Sequence, residues 1–165
     1  MHIRAYEDGD YDACRALWVE LTERHRLIYD DPTIGAPDPG VAFDDYLANP
    51  SRTCTWVATT DDTVIGFTGL FVWGNHAEIE PIVVTEQLRS QGTGRTLLQT
   101  AIAEAKARGV EFLSIKPVAR NVEAIKLFAA TGFEQLGHLD LTMYLGERPR
   151  TWRDGIDVHG RRFRY

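Results

Sequence analysis

Two groups of residues carry the clearest chemical potential in this chain: the run Arg89-Ser90-Gln91-Gly92-Thr93-Gly94-Arg95, and a short way upstream the acidic residues Glu78 and Glu80. Glycines in such a run let the backbone turn tightly and approach a ligand closely. A helix starting there adds unpaired N–H groups and the positive end of its dipole, which together favour a phosphate, with a diphosphate as the natural guest. The bland alternative is a glycine turn that opens a helix and binds nothing, and an isolated motif of this length does not decide between them. The run lacks the Gly-Lys-Ser/Thr ending of a nucleotide P-loop, and it lacks the full G-x-G-x-x-G with an acidic residue about 20 positions on, so ATP and NAD lose ground. Glu78 and Glu80 stand two apart in a strand pattern, which directs both side chains to one face; His76 shares that parity.

The surrounding periodicities say what must hold these residues. Residues 2 to 6 alternate, and Asp8-Gly9-Asp10 then caps an amphipathic helix with Tyr11, Cys14, Leu17, Trp18 and Leu21 at spacings of three and four. The stretch DDPTIGAPDPG from Asp30 to Gly40, with three prolines and two glycines, predicts a lid-like loop before a short helix around Phe43 to Leu47. Residues 53 to 60, 63 to 73 and 76 to 84 read as an antiparallel meander turned at Asp61-Asp62. The period then changes to a helix from Thr93 to Arg108 ending at Gly109, followed by strand over 110 to 116, helix over 120 to 131 and strand over 133 to 145. A strand, helix, strand crossover needs parallel neighbours, so the sheet should be mixed and the class α+β, or mixed α/β.

At 165 residues and 44% apolar content the chain can bury one core. No apolar run long enough to span a bilayer and no secretion signal is evident, which predicts a cytoplasmic protein without membrane attachment. Cys14 and Cys54 have no metal spacing and are expected as free thiols. A net charge of −6 disfavours nucleic acid and anionic membranes as partners, and weakly suits a cationic amine.

With its helix, the R-x-x-G-x-G pattern of Arg89, Gly92 and Gly94 in IEPIVVTEQLRSQGTGRTLL resembles motif A of the GNAT N-acetyltransferase superfamily. Asn121, Ala124, Leu127, Phe128, Gly132 and Phe133 in NVEAIKLFAATGF, directly after FLSIKPV, are similar to its motif B. The resemblance covers roughly residues 2 to 145. It implies a mainly antiparallel central sheet flanked by helices on both faces, with a V-shaped splay between the fourth and fifth strands. It also implies acetyl-CoA as co-substrate and no metal. Backbone N–H groups of Gln91, Gly92, Thr93, Gly94 and Arg95 would then hold the diphosphate, with Arg89 and Ser90 also on the cofactor, Ile82, Val83 and Val84 would pair with the pantetheine amides, and Asn121, Ala124 and Phe128 would contact the cofactor from the motif B side.

Attack on a thioester needs an uncharged amine, so a group must take or conduct its proton. Glu80 resembles the acidic position of some family members, with Glu78 a close second; a purely structural role for either, or deprotonation through water, fits the residues equally. Where the family usually has a tyrosine after Leu127 this chain has Phe128, leaving Tyr144, a water or no acid at all for the departing thiolate. Acceptor recognition would fall to His25 and Tyr29 on the first helix and to Trp73 near the meander turn, whereas Trp18 reads as packing. The implied enzyme is an N-acetyltransferase acting on a primary amine of a small molecule or peptide by direct attack; the alternative is an acyl-CoA-binding module with weak or no turnover, which Phe128 keeps open. The transferase domain would span 1–146. Residues 147–165, with turn candidates at Gly155 and His159-Gly160, would form a β-hairpin extension that covers the sheet edge or joins a homodimer.

Overall fold

Alternating apolar and polar residues from Arg52 onward fold as a meander of long strands. The computed structural model describes residues 1–146 and 152–165, in two compact units, Met1–Lys116 and Pro117–Tyr165. In the first unit β1 (His2–Ala5), β2 (Arg52–Thr60), β3 (Thr63–Trp73), β4 (His76–Val84) and β5 (Phe112–Ser114) form one sheet in the order β1-β2-β3-β4-β5. The first four strands pair antiparallel and β5 runs parallel to β4. Asp61 and Asp62 turn the β2–β3 hairpin with φ of 48° and 60°, the left-handed pair that a two-residue hairpin requires.

Helices cover both faces of this sheet. Adjacent strand residues point to opposite sides, and the core divides accordingly. Val57 and Val83 pack with Phe67, Phe71, Cys14 and Leu17 of α1 (Tyr11–Tyr29) and Phe43 and Tyr46 of α2 (Val41–Ala48). Their neighbours Ala58 and Val84 pack with Ile65 and with Leu97 of α3 (Thr93–Ala107). Trp18 lies 5.9 Å from the Phe43 ring and 6.3 Å from that of Phe67, so it is core packing. The loop after α1, expected as a lid, is tied to that helix: Arg26 donates to the carbonyls of Ile34 and Ala36, and Arg15 pairs with Asp38 at 2.5 Å. Both cysteines are free, and burial pushes the Cys14 thiol up to about 12.

Two further features of the sheet shape the site. The β4–β5 ladder runs only from His76↔Phe112 to Glu78↔Ser114, while β4 continues to Val84 against β3. Between Thr68↔Ile82 and Leu70↔Ile79 the β3–β4 register shifts, setting Gly69 opposite Glu80 and Pro81, which are joined by a cis peptide. Thr68 donates its hydroxyl to the Pro81 carbonyl at 2.8 Å, satisfying a buried acceptor at this irregularity.

In the second unit α4 (Val122–Ala129) starts at Asn121, whose side-chain oxygen accepts from the Ala124 N–H at 3.2 Å. β6 (Asp154–Val158) and β7 (Arg161–Arg164) form a hairpin turned at His159-Gly160, with φ of 51° and 75°. Gly155 lies inside β6 rather than at a turn; a Cβ there would come 2.4 Å from the Phe163 carbonyl oxygen. Residues 133–145, expected as a strand, join no ladder, and the expected strand over 110–116 shortens to Phe112–Ser114. Alternation of Leu139, Leu141, Met143 and Leu145 encodes a face but not a partner, and all four are exposed. The boundary expected between 146 and 147 adjoins residues 147–151, which lie outside the described residues. Among the described residues no helix is long and apolar enough to cross a membrane.

A Cβ built on Gly69 would lie 2.1 Å from the Tyr46 hydroxyl and 2.4 Å from the Glu80 carbonyl oxygen. Gly69→Ala is therefore expected to lower stability by about 1–3 kcal/mol, read from the urea midpoint; an unchanged midpoint would mean that the irregularity relaxes without cost.

Candidate active site

The loop from β4 into α3 is built by backbone conformations that few sequences supply. Ser90 adopts φ of 63°, and Gly92, the N-cap of α3, adopts 90° with open space where a Cβ would stand. At the helix start beyond it the N–H groups of Thr93 and Gly94 have no acceptor within the helix, as at any helix N-terminus, and point outward with the dipole behind them. Gln91 is exposed and Thr93 buried. The sequence thus places outward N–H groups and a positive dipole end, features that suit an anion, at the start of a 15-residue helix.

Glu20 of α1 holds this loop in place. Its carboxylate accepts from the Thr85 hydroxyl at 3.0 Å, the Glu86 N–H at 2.5 Å and an Arg89 guanidinium N–H at 2.9 Å. Arg89 also donates from Nε to the Val84 carbonyl at 2.9 Å. The arginine of the glycine motif is thereby turned toward the strand end and α1, where it fixes the loop. Glu20 escaped the sequence reading because its partners lie more than 60 positions away, and helical periodicity marks it only as a polar position.

On β4, Val83 and Val84 are buried and Ile82 half-buried, so the strand's side chains anchor it while its edge beyond Glu78 has no β5 ladder. Glu78 is buried, with 11% of its side chain exposed, and accepts from the Lys116 ammonium at 2.6 Å. Glu80, by contrast, is exposed at its surface. Desolvation by the protein around it, and then the charge of Glu78, raise its carboxyl above the usual range, with Lys116 opposing. Beside it Tyr46 bonds the Thr55 hydroxyl at 2.6 Å, and burial pushes its own hydroxyl up to about 12, so it stays neutral. Neither Tyr46 nor Lys116 was singled out from sequence. Tyr46 reads as half of an i, i+3 apolar pair with Phe43, and Lys116 meets Glu78 only through the parallel register of β5.

Trp73, His76, His25 and Tyr29 belong to the hairpin end of the sheet and to the end of α1. Trp73 and His76 close the β3–β4 hairpin, four or more residues from Glu80, or about 13 Å of strand; Trp73 stacks on Phe71 at 5.8 Å and His76 on Phe112 at 5.0 Å. His25 is half-buried near the C-terminal end of α1, where desolvation and then Arg24 lower its pKa and keep the imidazole neutral; Tyr29 is the last residue of that helix. In the second unit Asn121 caps α4, Phe128 is buried against Phe133 at 6.3 Å, and the Tyr144 hydroxyl lies over Gly146.

A glycine loop that opens a helix thus follows a strand whose ladder to β5 ends at Glu78, with Glu80, its carboxyl raised, further along that strand. The family model for the acetyltransferase (GNAT) family matches residues 13–133, and the chain belongs to that family. Its enzyme class is N-acetyltransferase, and the family uses acetyl-CoA. Among solved structures, ribosomal-protein-alanine N-acetyltransferase from Brucella melitensis is 26% identical, with a TM-score of 0.68 over 83% of this chain and 86% of that one. Ribosomal-protein-S18-alanine N-acetyltransferase from Escherichia coli, 23% identical, has a TM-score of 0.64 over 82% and 79%. AAC(6′)-Iy in complex with the bisubstrate analogue CoA-S-monomethyl-acetylneamine shares the fold at 16% identity, with a TM-score of 0.63 over 87% and 97%. No curated protein sequence matches the chain.

Glu20→Ala removes the common acceptor of three donors. It is expected to cost about 1–2 kcal/mol in unfolding free energy and to speed amide hydrogen exchange over residues 85–95; exchange at the wild-type rate would show that the loop holds its shape without α1.

Proposed function

We propose that the protein transfers an acetyl group from acetyl-CoA to a primary amine of a small molecule or peptide, by direct attack within a ternary complex. Bound acetyl-CoA supplies an activated acyl carbon as its thioester. The residues present fit such a group: the cradle around Gly92 suits a diphosphate, and the free edge of β4 suits an extended chain of amides. Gln91 to Arg95 bind the anion through backbone N–H groups, Arg89 fixes the loop from behind, and Ile82 to Val84 present the strand edge.

The observation that carries the reading is Glu80, a surface-accessible carboxylate with a raised pKa on the strand that leads into the cradle. An ammonium ion has no lone pair for attack, so its proton must leave first. Glu80 takes that proton, directly or through one water, and a carboxylate raised above its usual pKa is the stronger base. His25 and Tyr29, toward the end of α1, recognise the acceptor, and a water gives a proton to the departing thiolate. One feature favours a second reading, an acyl-CoA-binding module with little turnover: Phe128, buried against Phe133, has no proton to give.

Turnover should rise with pH through the raised Glu80 pKa, above 4.5, because the base works only when deprotonated. Glu80→Gln is expected to remove that acid limb and lower kcat about 100-fold while calorimetric affinity for acetyl-CoA is kept. Retention of the limb and the rate would defeat the base assignment; binding without thiol release across an amine panel would favour the second reading.

Gly94→Glu places a carboxylate in the first turn of α3, where the dipole welcomes a negative charge and a non-glycine residue helps the helix. Its thermal midpoint should therefore be kept or raised while acetyl-CoA affinity falls at least about tenfold. Undiminished affinity would remove the diphosphate from this loop.

A further inference from the structure

Glu78 and Glu80 stand two residues apart on β4, yet their surroundings differ. Glu78 is buried with its Oε2 at 2.6 Å from the Lys116 ammonium, and Glu80 is open to solvent. Lys116 follows β5 by two residues, and Ser114 at the end of β5 is the register partner of Glu78, so the parallel pairing delivers the ammonium to that carboxylate. Both Glu78 and Lys116 act on Glu80 through their charges. Among the described residues of the first unit Tyr46 of α2 also faces Glu80 and is neutral, and on the β3 side Glu80 faces Gly69. A buried carboxylate with no countercharge would either hold a proton or repel a second negative charge beside it.

We infer that Lys116 is a positioning residue: by pairing its ammonium with Glu78, it offsets part of the neighbouring charge and leaves Glu80 as the carboxylate that takes the amine proton. The inference rests on the reading of Glu80 as base. Glu78 is then the paired carboxylate, its Oε2 bonded to Lys116, and Glu80 is the one open to solvent. Without the ammonium, the charge of Glu78 bears more strongly on Glu80, and the two carboxyls titrate as an interacting pair.

The test is a carboxyl carbon NMR titration of the full chain labelled at glutamate, with pH-rate profiles on the same samples. Lys116→Met should raise the pH at which the Glu78–Glu80 pair releases its last proton by about one unit, and should move the acid limb of kcat upward by the same amount. Adding Glu78→Gln to Lys116→Met removes the neighbouring charge altogether and should return the Glu80 titration to near its wild-type position. A structural role alone would change stability without moving either titration, and since 74% of the Lys116 side chain is exposed, the single variant is expected to fold. A Lys116→Met titration that overlays the wild type, or a shift that the added Glu78→Gln fails to reverse, would overturn the inference. Failure of the base reading would look different: the NMR shift would appear while Glu80→Gln kept the wild-type rate.

Discussion

Strand β4 keeps one neighbour along its length and loses the other after three residue pairs, and the site is arranged around that inequality. Its pairing with β3 carries the strand to Val84 and into the glycine loop. Pairing with β5 ends at Glu78↔Ser114, so the backbone groups of the following residues on that side are not taken by a ladder. A strand edge left open inside a sheet is costly unless something covers it, and an extended chain of amides is a natural cover. The same parting of β4 from β5 leaves Glu78 at the last paired position, where Lys116 reaches it, and Glu80 beyond it in solvent.

The local irregularity between β3 and β4 serves the same end. One residue of β3, Gly69, faces two of β4, and the Tyr46 hydroxyl and Glu80 carbonyl crowd the place where a side chain would be. Packing from α2 therefore bears directly on the backbone of the proposed base. On the other side of the loop, Glu20 gathers Thr85, Glu86 and Arg89 against α1. The anion cradle is thus held by a side chain from the face opposite α3, which ties the geometry of the helix start to the packing of α1 rather than to the glycine motif alone.

Membership of the acetyltransferase family rests on a match across most of the chain, whereas the solved structures, between 16% and 26% identical, speak mainly to the fold. Two features of this chain within that frame are the pair of glutamates with unequal surroundings and the phenylalanine at position 128. Both are matters of side-chain environment, and both bear on proton handling rather than on how an acyl carrier is held.

By itself the sequence determined the helices, the meander and the glycine loop, because periodicity, turn chemistry and helix-start signals are local. Thr63–Trp73, His76–Val84 and Thr93–Ala107 lie within a residue or so of where alternation and helical spacing put them. The positions of Glu80 on a strand and of Gly92 at a helix start were legible for the same reason. The segment 133–145 misled, because an alternating pattern reports a face and says nothing of whether a partner strand is present. Only the tertiary structure decided that Arg89 turns to Glu20, that Trp73 and His76 sit at the far end of the hairpin, and that Lys116 answers Glu78. Each depends on which strand lies beside which and in what register, and register is set by packing between residues distant in the chain.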